Sequence, residues 1–145
     1  DSDKYKIYIS PLNQLYINEA GREPVKVSTI DSRLLRRMGR DYRTRGNDVE
    51  KTLSMWKSVR AGEEKHIFPY EKEADVMFNS GLLYEYTAIR SSARPLLAAV
   101  PESSEYYDEA RRLLGFMDMF CDIDTRYIPL NSIIREFIGG GCFRI

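Results

Sequence analysis

Only two segments of this chain read as β-strands, and a long helix-like stretch separates them. Lys4-Tyr5-Lys6-Ile7-Tyr8-Ile9-Ser10 alternates polar and β-favouring residues until Pro11 stops it. Ala74-Asp75-Val76-Met77-Phe78 is a short apolar run, expected to be buried, ahead of the turn Asn79-Ser80-Gly81. Two strands are too few for an independent parallel sheet, which needs neighbours and covered faces. They fit best as pieces of a larger sheet whose other strands lie upstream. Otherwise the chain is mostly helical or pairs with a second copy. Its opening at Asp1 rather than at a methionine suggests a piece of something longer.

The rest of the chain is punctuated like helices. Residues 11–27 are irregular, with a turn signal at Asn18-Glu19-Ala20-Gly21. Ser28 and Asp31 offer oxygens to free backbone N–H groups, Leu34, Leu35 and Met38 form an apolar stripe, and Gly46 closes the helix. A second helix starts at Asn47 or Asp48 and carries Val49, Leu53, Trp56 and Val59, before Gly62 and Pro69 bracket a polar connection. From Leu82 the chain is helical again, punctuated by Pro95 and Pro101. Ser104 caps a helix with Tyr106, Ala110, Leu113, Leu114, Met117 and Phe120 on one face. Near Asn131-Ser132 a last helix sets Ile133, Ile134, Phe137 and Ile138 on its apolar side and ends at Gly139-Gly140-Gly141.

With 145 residues there is room for one domain and a real core. The 22 basic and 22 acidic residues cancel, so no overall field argues for a nucleic-acid or membrane partner. Cys121 and Cys142 match no zinc or redox spacing, and the simplest setting is a reducing cytoplasm. No apolar run approaches the roughly 20 residues of a membrane span.

Against that neutral background, Arg33-Leu34-Leu35-Arg36-Arg37-Met38-Gly39-Arg40-Asp41-Tyr42-Arg43-Thr44-Arg45-Gly46 stands out, with six arginines and a single acid. On a helix Arg33, Arg37 and Arg40 share one face, and Arg36, Arg40 and Arg43 share an overlapping one. Like charges at that spacing repel, and a bound anion offsets the repulsion, because guanidinium groups grip phosphate with two parallel hydrogen bonds. The competing reading is a solvated basic face whose arginines pair with Glu50, Glu63 or Glu64. Nucleic-acid binding is weaker, since few aromatic residues interleave with the arginines. His66, the lone histidine, has no nucleophile partner, and with Glu63 and Glu64 it makes a poor metal set. Asp75 reads as a polar residue at a strand edge, and Asp122 and Asp124 as loop residues.

Ser28-Thr29-Ile30-Asp31-Ser32-Arg33-Leu34-Leu35-Arg36-Arg37, then Arg40-Asp41 and Arg45-Gly46, resembles the lid segment of uridine kinases in the phosphoribulokinase and uridine kinase group. Ala74-Asp75-Val76 resembles a late strand of that fold, and Lys4 to Ser10 the strand before the lid. Ile67-Phe68-Pro69-Tyr70-Glu71-Lys72-Glu73-Ala74-Asp75-Val76-Met77-Phe78-Asn79-Ser80 and Ile128-Pro129-Leu130-Asn131-Ser132-Ile133-Ile134-Arg135-Glu136-Phe137-Ile138-Gly139-Gly140 resemble a bacterial branch of nucleoside kinases that often carries a synthetase-like module in front.

The resemblance implies an α/β fold, the C-terminal part of a P-loop kinase parallel sheet with a mostly helical extension. Residues 1–80 would be the lid and late-strand portion and residues 81–145 the extension. The intact parent would transfer the γ-phosphoryl group of ATP, with magnesium, to a nucleoside hydroxyl. Arg37 would face the nucleoside, Arg40 and Arg45 the phosphates, and Arg36, on a flank, would tolerate replacement. Asn47 departs from a frequent arginine of the family and Met55 from a frequent glutamine near the base. No G-x-x-x-x-G-K-[ST] loop occurs, and Gly139-Gly140-Gly141 lacks the lysine and helix that would follow, so this portion alone is expected to be inactive. The alternative is a non-catalytic interaction domain that self-associates as a homo-oligomer through its helical part.

Overall fold

A computed structural model describes residues 4–12, 15–18 and 23–143, and shows a mixed α/β chain dominated by helix. Strand β1 (Ile7–Ser10) pairs in parallel with β4 (Val76–Asn79), in a register that sets Ile7 opposite Val76 and Ser10 opposite Asn79. Side chains fix both ends of the pair. The Asp75 carboxylate accepts from the Lys6 N–H at 2.7 Å, so Asp75 closes the strand edge. The Asn79 carboxamide accepts from the N–H of Leu12 and of Gly81 and donates to the Leu12 carbonyl.

Within residues 11–27 lies a short antiparallel ladder, β2 (Tyr16–Ile17) on β3 (Val25–Lys26), where the sequence reads as irregular. Two-residue strands leave too little alternation to recognise. Most of the expected turn at Asn18 to Gly21 lies outside the described residues.

Helix α1 (Thr29–Arg45) begins and ends where its residue types dictate. The Ser28 side chain accepts from the Ile30 N–H, and Gly46 takes a left-handed φ of 65°. Helix α2 (Val49–His66) is capped by Asp48, which accepts from the Lys51 N–H, and runs straight through Gly62 instead of stopping there. A 3-10 segment (Phe68–Glu73) then leads into β4. Helix α3 (Glu85–Ala98) contains Pro95 within its span rather than ending at it. Helix α4 (Tyr107–Met117) follows Ser104, whose hydroxyl accepts from the Tyr106 N–H and donates to Glu50 on α2. Helix α5 (Arg135–Ile138) is a single turn ended by Gly139 at φ 95°.

One core joins these helices. Leu34, Leu35 and Met38 of α1 pack with Tyr86, Ile89 and Leu97 of α3, Leu113 and Met117 of α4, and Ile134 and Phe137 around α5. Tyr86, Phe116 and Phe120 form an aromatic triangle with ring centroids 5.0 to 5.2 Å apart. Each buried large apolar side chain contributes about 1.5–3 kcal/mol, so the shared core ties the portions on either side of residue 80 into one packed unit. The strand pair stands apart from it. Ile7, Ile9, Val76, Met77 and Phe78 are all exposed, so the expected burial of the second strand is not found. Its apolar residues meet no layer among the described residues.

Two glycines in helices have opposite surroundings. A Cβ on Gly39 of α1 would sit 2.7 Å from the Phe137 carbonyl oxygen, whereas one on Gly115 of α4 would meet nothing within 4 Å. Gly39→Ala is therefore expected to lose about 1–3 kcal/mol through overpacking, despite the better helix propensity of alanine. Gly115→Ala is expected to gain up to about 1 kcal/mol from propensity alone. Urea denaturation midpoints of the two variants check the pair.

Candidate functional site

Helix α1 projects its arginines toward three neighbours. Arg33 reaches α2, where Glu63 accepts from its Nε at 3.0 Å and from its terminal nitrogen. Arg36 reaches the N-terminus of α3, where both Glu85 oxygens accept at 2.5 Å. It also donates to the Ser80 carbonyl at 2.7 Å and lies 5.1 Å from the Phe137 ring centroid. Arg40 donates to Glu136 of α5 at 3.1 Å, and Arg43 to the carbonyl of Glu136 at 3.0 Å. With Gly39 allowing the backbones to close, the face shared by Arg36, Arg40 and Arg43 is the seat of α5.

Asp41, the only acid of the segment, is fully buried. Arg45 donates to it at 2.6 Å, and the Arg37 Nε lies 3.2 Å away. The glutamate pairing considered from the sequence thus holds for Arg33 and Glu63. Glu50 instead accepts from Ser104, and Glu64 pairs with Arg60.

Arg36 corrects the expectation of a tolerant flank position. It is 7% exposed and its partner Glu85 is 0% exposed. Glu85 also accepts from the Ser32 hydroxyl at 2.8 Å and from the Leu82 N–H at 3.3 Å, and its charge favours the positive end of α3. A buried pair of this kind adds little net stability over an apolar substitute, but losing one partner leaves a bare charge in the core. Next to it, burial pushes the Tyr86 hydroxyl up to about 12 and Ser32 opposes the shift.

These side chains line an open cavity of about 280 Å³ at the carboxyl ends of β1 and β4. Ile9, Pro11 and Ser80 form its strand side, Trp56 and Val59 its α2 side, and Ile133 and Phe137 its far wall. Arg33, Arg36, Arg37 and Arg40 line it, together with Glu63 and Glu136. Among the described residues the Nε atoms of Arg37 and Arg40 are buried without an acceptor, which is uncommon for buried donors in folded proteins. Of the three arginines singled out from sequence, Arg37 and Arg40 are brought together here. Arg45 lies outside the lining, half exposed on Asp41. A second cavity, about 790 Å³, adjoins it beyond α5 and is lined by Arg43, Thr44, Asn131, Arg135 and Gly140, with Ile133 and Glu136 common to both.

Among the described residues no group of three or more His, Cys, Asp or Glu is arranged to hold a metal ion. No helix among them is long and apolar enough to cross a membrane. His66 lines a separate cavity of about 460 Å³ beside β1, with Tyr70 and Glu73. Asp124 accepts from Arg126, and Asp122 pairs with Arg90, both at the surface.

Ser32, Glu85, Glu136 and Phe137 were not marked by the sequence as site residues. The available signal was Gly39, a helix-interior glycine that costs about 1 kcal/mol and so marks a close approach. No family model matches the chain, and no curated protein or solved structure matches it significantly. The uridine kinase likeness therefore rests on the strings quoted from the sequence.

Two outcomes follow from the geometry. Arg36→Ala should cost about 3–5 kcal/mol, and the double replacement Arg36→Met with Glu85→Leu much less, in urea melts. Because the folded-state pKa of Tyr86 is raised from 10.0 to about 12, its stabilising effect is complete below pH 10 and lost as pH rises toward 12. Ultraviolet titration of the phenols should show a late-ionising tyrosine that is lost in Tyr86→Phe, beside Tyr106, which burial also raises.

Proposed function

We propose that this chain is the lid-bearing C-terminal part of a P-loop nucleoside kinase, which in the intact protein transfers the γ-phosphoryl group of ATP to a nucleoside hydroxyl. The observation that carries the reading is the arginine-lined cavity at the carboxyl ends of parallel strands. That is where ligands of open α/β sheets bind. It is built largely by the segment that resembles the uridine kinase lid. The exposed apolar residues of β1 and β4 are in keeping with a sheet continued by further strands.

In this reading ATP supplies the phosphoryl group, and its phosphate loop and magnesium seat come from outside the described residues. This chain's part is positioning. Arg36, fixed by Glu85, Ser80 and Phe137, holds α1 to the end of β4, so that Arg37 and Arg40 stand beside the cavity. Their guanidiniums offer planar pairs of donors to phosphate oxygens. This moves Arg37 from the nucleoside side, where the resemblance put it, to the phosphates, because it lines the same cavity as Arg40. Donors already in place stabilise charge as it develops. Arg45 acts one step back by sharing the charge of Asp41, which leaves Arg37 less tightly claimed. A cytoplasmic setting goes with an ATP-dependent reaction and with the two exposed, unpaired thiols. A nucleic-acid partner is not part of this reading, because five of the six arginines of α1 pair with carboxylates and Arg43 is drawn to the α5 carbonyls.

The same exposed strand pair favours a second reading, a self-associating domain in which another copy covers β1 and β4. Sedimentation separates the two, since self-association predicts a species of at least twice 16.9 kDa.

The kinase reading expects the coding sequence upstream of Asp1 to encode a G-x-x-x-x-G-K-[ST] loop, and the chain alone to show no nucleoside-dependent ATP turnover. In the intact protein Arg40→Ala should lower kcat about 10²–10³-fold with little change in melting temperature. Arg40→Lys should recover only part of it, because a point charge cannot reproduce the two-pronged geometry. Arg45→Ala should fall between Arg40→Ala and wild type. Steady-state kinetics beside thermal melts decide it. Activity that falls only in step with melting temperature contradicts the assignment.

A further inference from the structure

The four arginines of the smaller cavity are matched by four carboxylates, Arg33 to Glu63, Arg36 to Glu85, Arg37 to Asp41 and Arg40 to Glu136. An anion entering such a neutralised cavity gains little unless one carboxylate gives way. Three of the four are fixed. The side chains of Glu63, Glu85 and Asp41 are at most 7% exposed. Each has more than one basic or hydrogen-bonding partner: Arg33 and Arg60 on Glu63, Arg36 and Ser32 on Glu85, Arg45 and Arg37 on Asp41.

Glu136 differs on every count. Its side chain is 32% exposed, and among the described residues its carboxylate is held by a single hydrogen bond, from Arg40. It stands on the one-turn helix α5, at the wall between the two cavities. The larger cavity, lined by Arg43 and Arg135, gives the displaced carboxylate basic surroundings to move into. The backbone of α5 need not follow, because the Gly39 approach and the Arg43 bonds to the carbonyls of Arg135 and Glu136 hold it in place.

We propose that Glu136 is an exchangeable counter-ion that sets which anions the cavity accepts: a phosphate dianion replaces it on Arg40, whereas a singly charged carboxylate ligand does not. This rests on the phosphate-handling reading of the cavity and adds a specificity-determining residue to it. The physical basis is a balance of charges. A partly exposed ion pair is worth up to about 1 kcal/mol, so a ligand carrying one charge merely trades like for like. One carrying two charges, with planar donors on Arg37 and Arg40 to receive it, gains on the exchange.

The test is calorimetric titration of the chain with pyrophosphate, with acetate as the singly charged probe. Glu136→Gln should bind pyrophosphate roughly three- to thirtyfold more tightly than wild type and should begin to bind acetate. Arg40→Ala should lose most of the pyrophosphate affinity. Glu64→Gln, which removes the same charge from an exposed position on α2 outside the cavity, should stay within about twofold of wild type. If Glu136→Gln fails to fold, Glu136→Asp carries the test, since the shorter carboxylate withdraws from Arg40 and should give a smaller gain in the same direction. Binding by wild type with no tightening in either variant overturns the role of Glu136 and leaves the kinase reading standing. No binding of pyrophosphate by any of the folded proteins overturns both.

Discussion

The arrangement of the cavity depends on the buried pair between Arg36 and Glu85. Arg36 comes from the middle of α1 and Glu85 from the first residue of α3, and the Ser80 carbonyl between them belongs to the turn that ends β4. One guanidinium therefore joins the long helix, the parallel strand pair and the helical C-terminal portion. A hydrophobic contact could stabilise that junction equally well, yet it could not fix the rotation of α1 about its axis. The bidentate geometry does, and rotation decides whether Arg37 and Arg40 face the strand ends or the solvent.

Around this junction the basic segment divides its labour. Arg36, Arg40 and Arg43 seat α5, with the close approach at Gly39 and the Phe137 ring below Arg36. Arg33 and Arg37 are drawn to acids on α2 and on α1 itself. The repulsion expected among six arginines on one helix is thus largely met inside the protein, by carboxylates far away in sequence. What is left for a ligand is small and local: two buried Nε donors without acceptors and one carboxylate that is only lightly held.

Helix limits were legible wherever a cap was chemical. Ser28, Asp48 and Gly46 mark the ends of α1 and α2 because each side chain, or its absence, answers a specific backbone need. Gly62 and Pro95 misled because a helix tolerates either when tertiary packing holds it, and both helices run on. The strand pair was legible as local alternation, but its exposure was not, since burial depends on what covers the sheet. For the site, Arg37 and Arg40 were within reach of sequence reasoning because they share a helical face. Glu85 and Glu136 were not, because no spacing rule connects residues 49 and 96 positions away. The misplacement of Arg36 has the same origin: a helix surface looks alike from every side until its neighbours are known.

In the proposed function α1 presents Arg37 and Arg40, and not its other arginines, to a phosphate-bearing ligand. Nitrogen-15 NMR of the arginine Nε–H groups, followed during addition of pyrophosphate, tests it residue by residue. Saturable shifts of the Arg37 and Arg40 resonances are expected, with Arg33 and Arg36 unmoved because Glu63 and Glu85 keep them. Shifts that spread evenly over all six arginines, or that single out Arg36 while sparing Arg40, would contradict it.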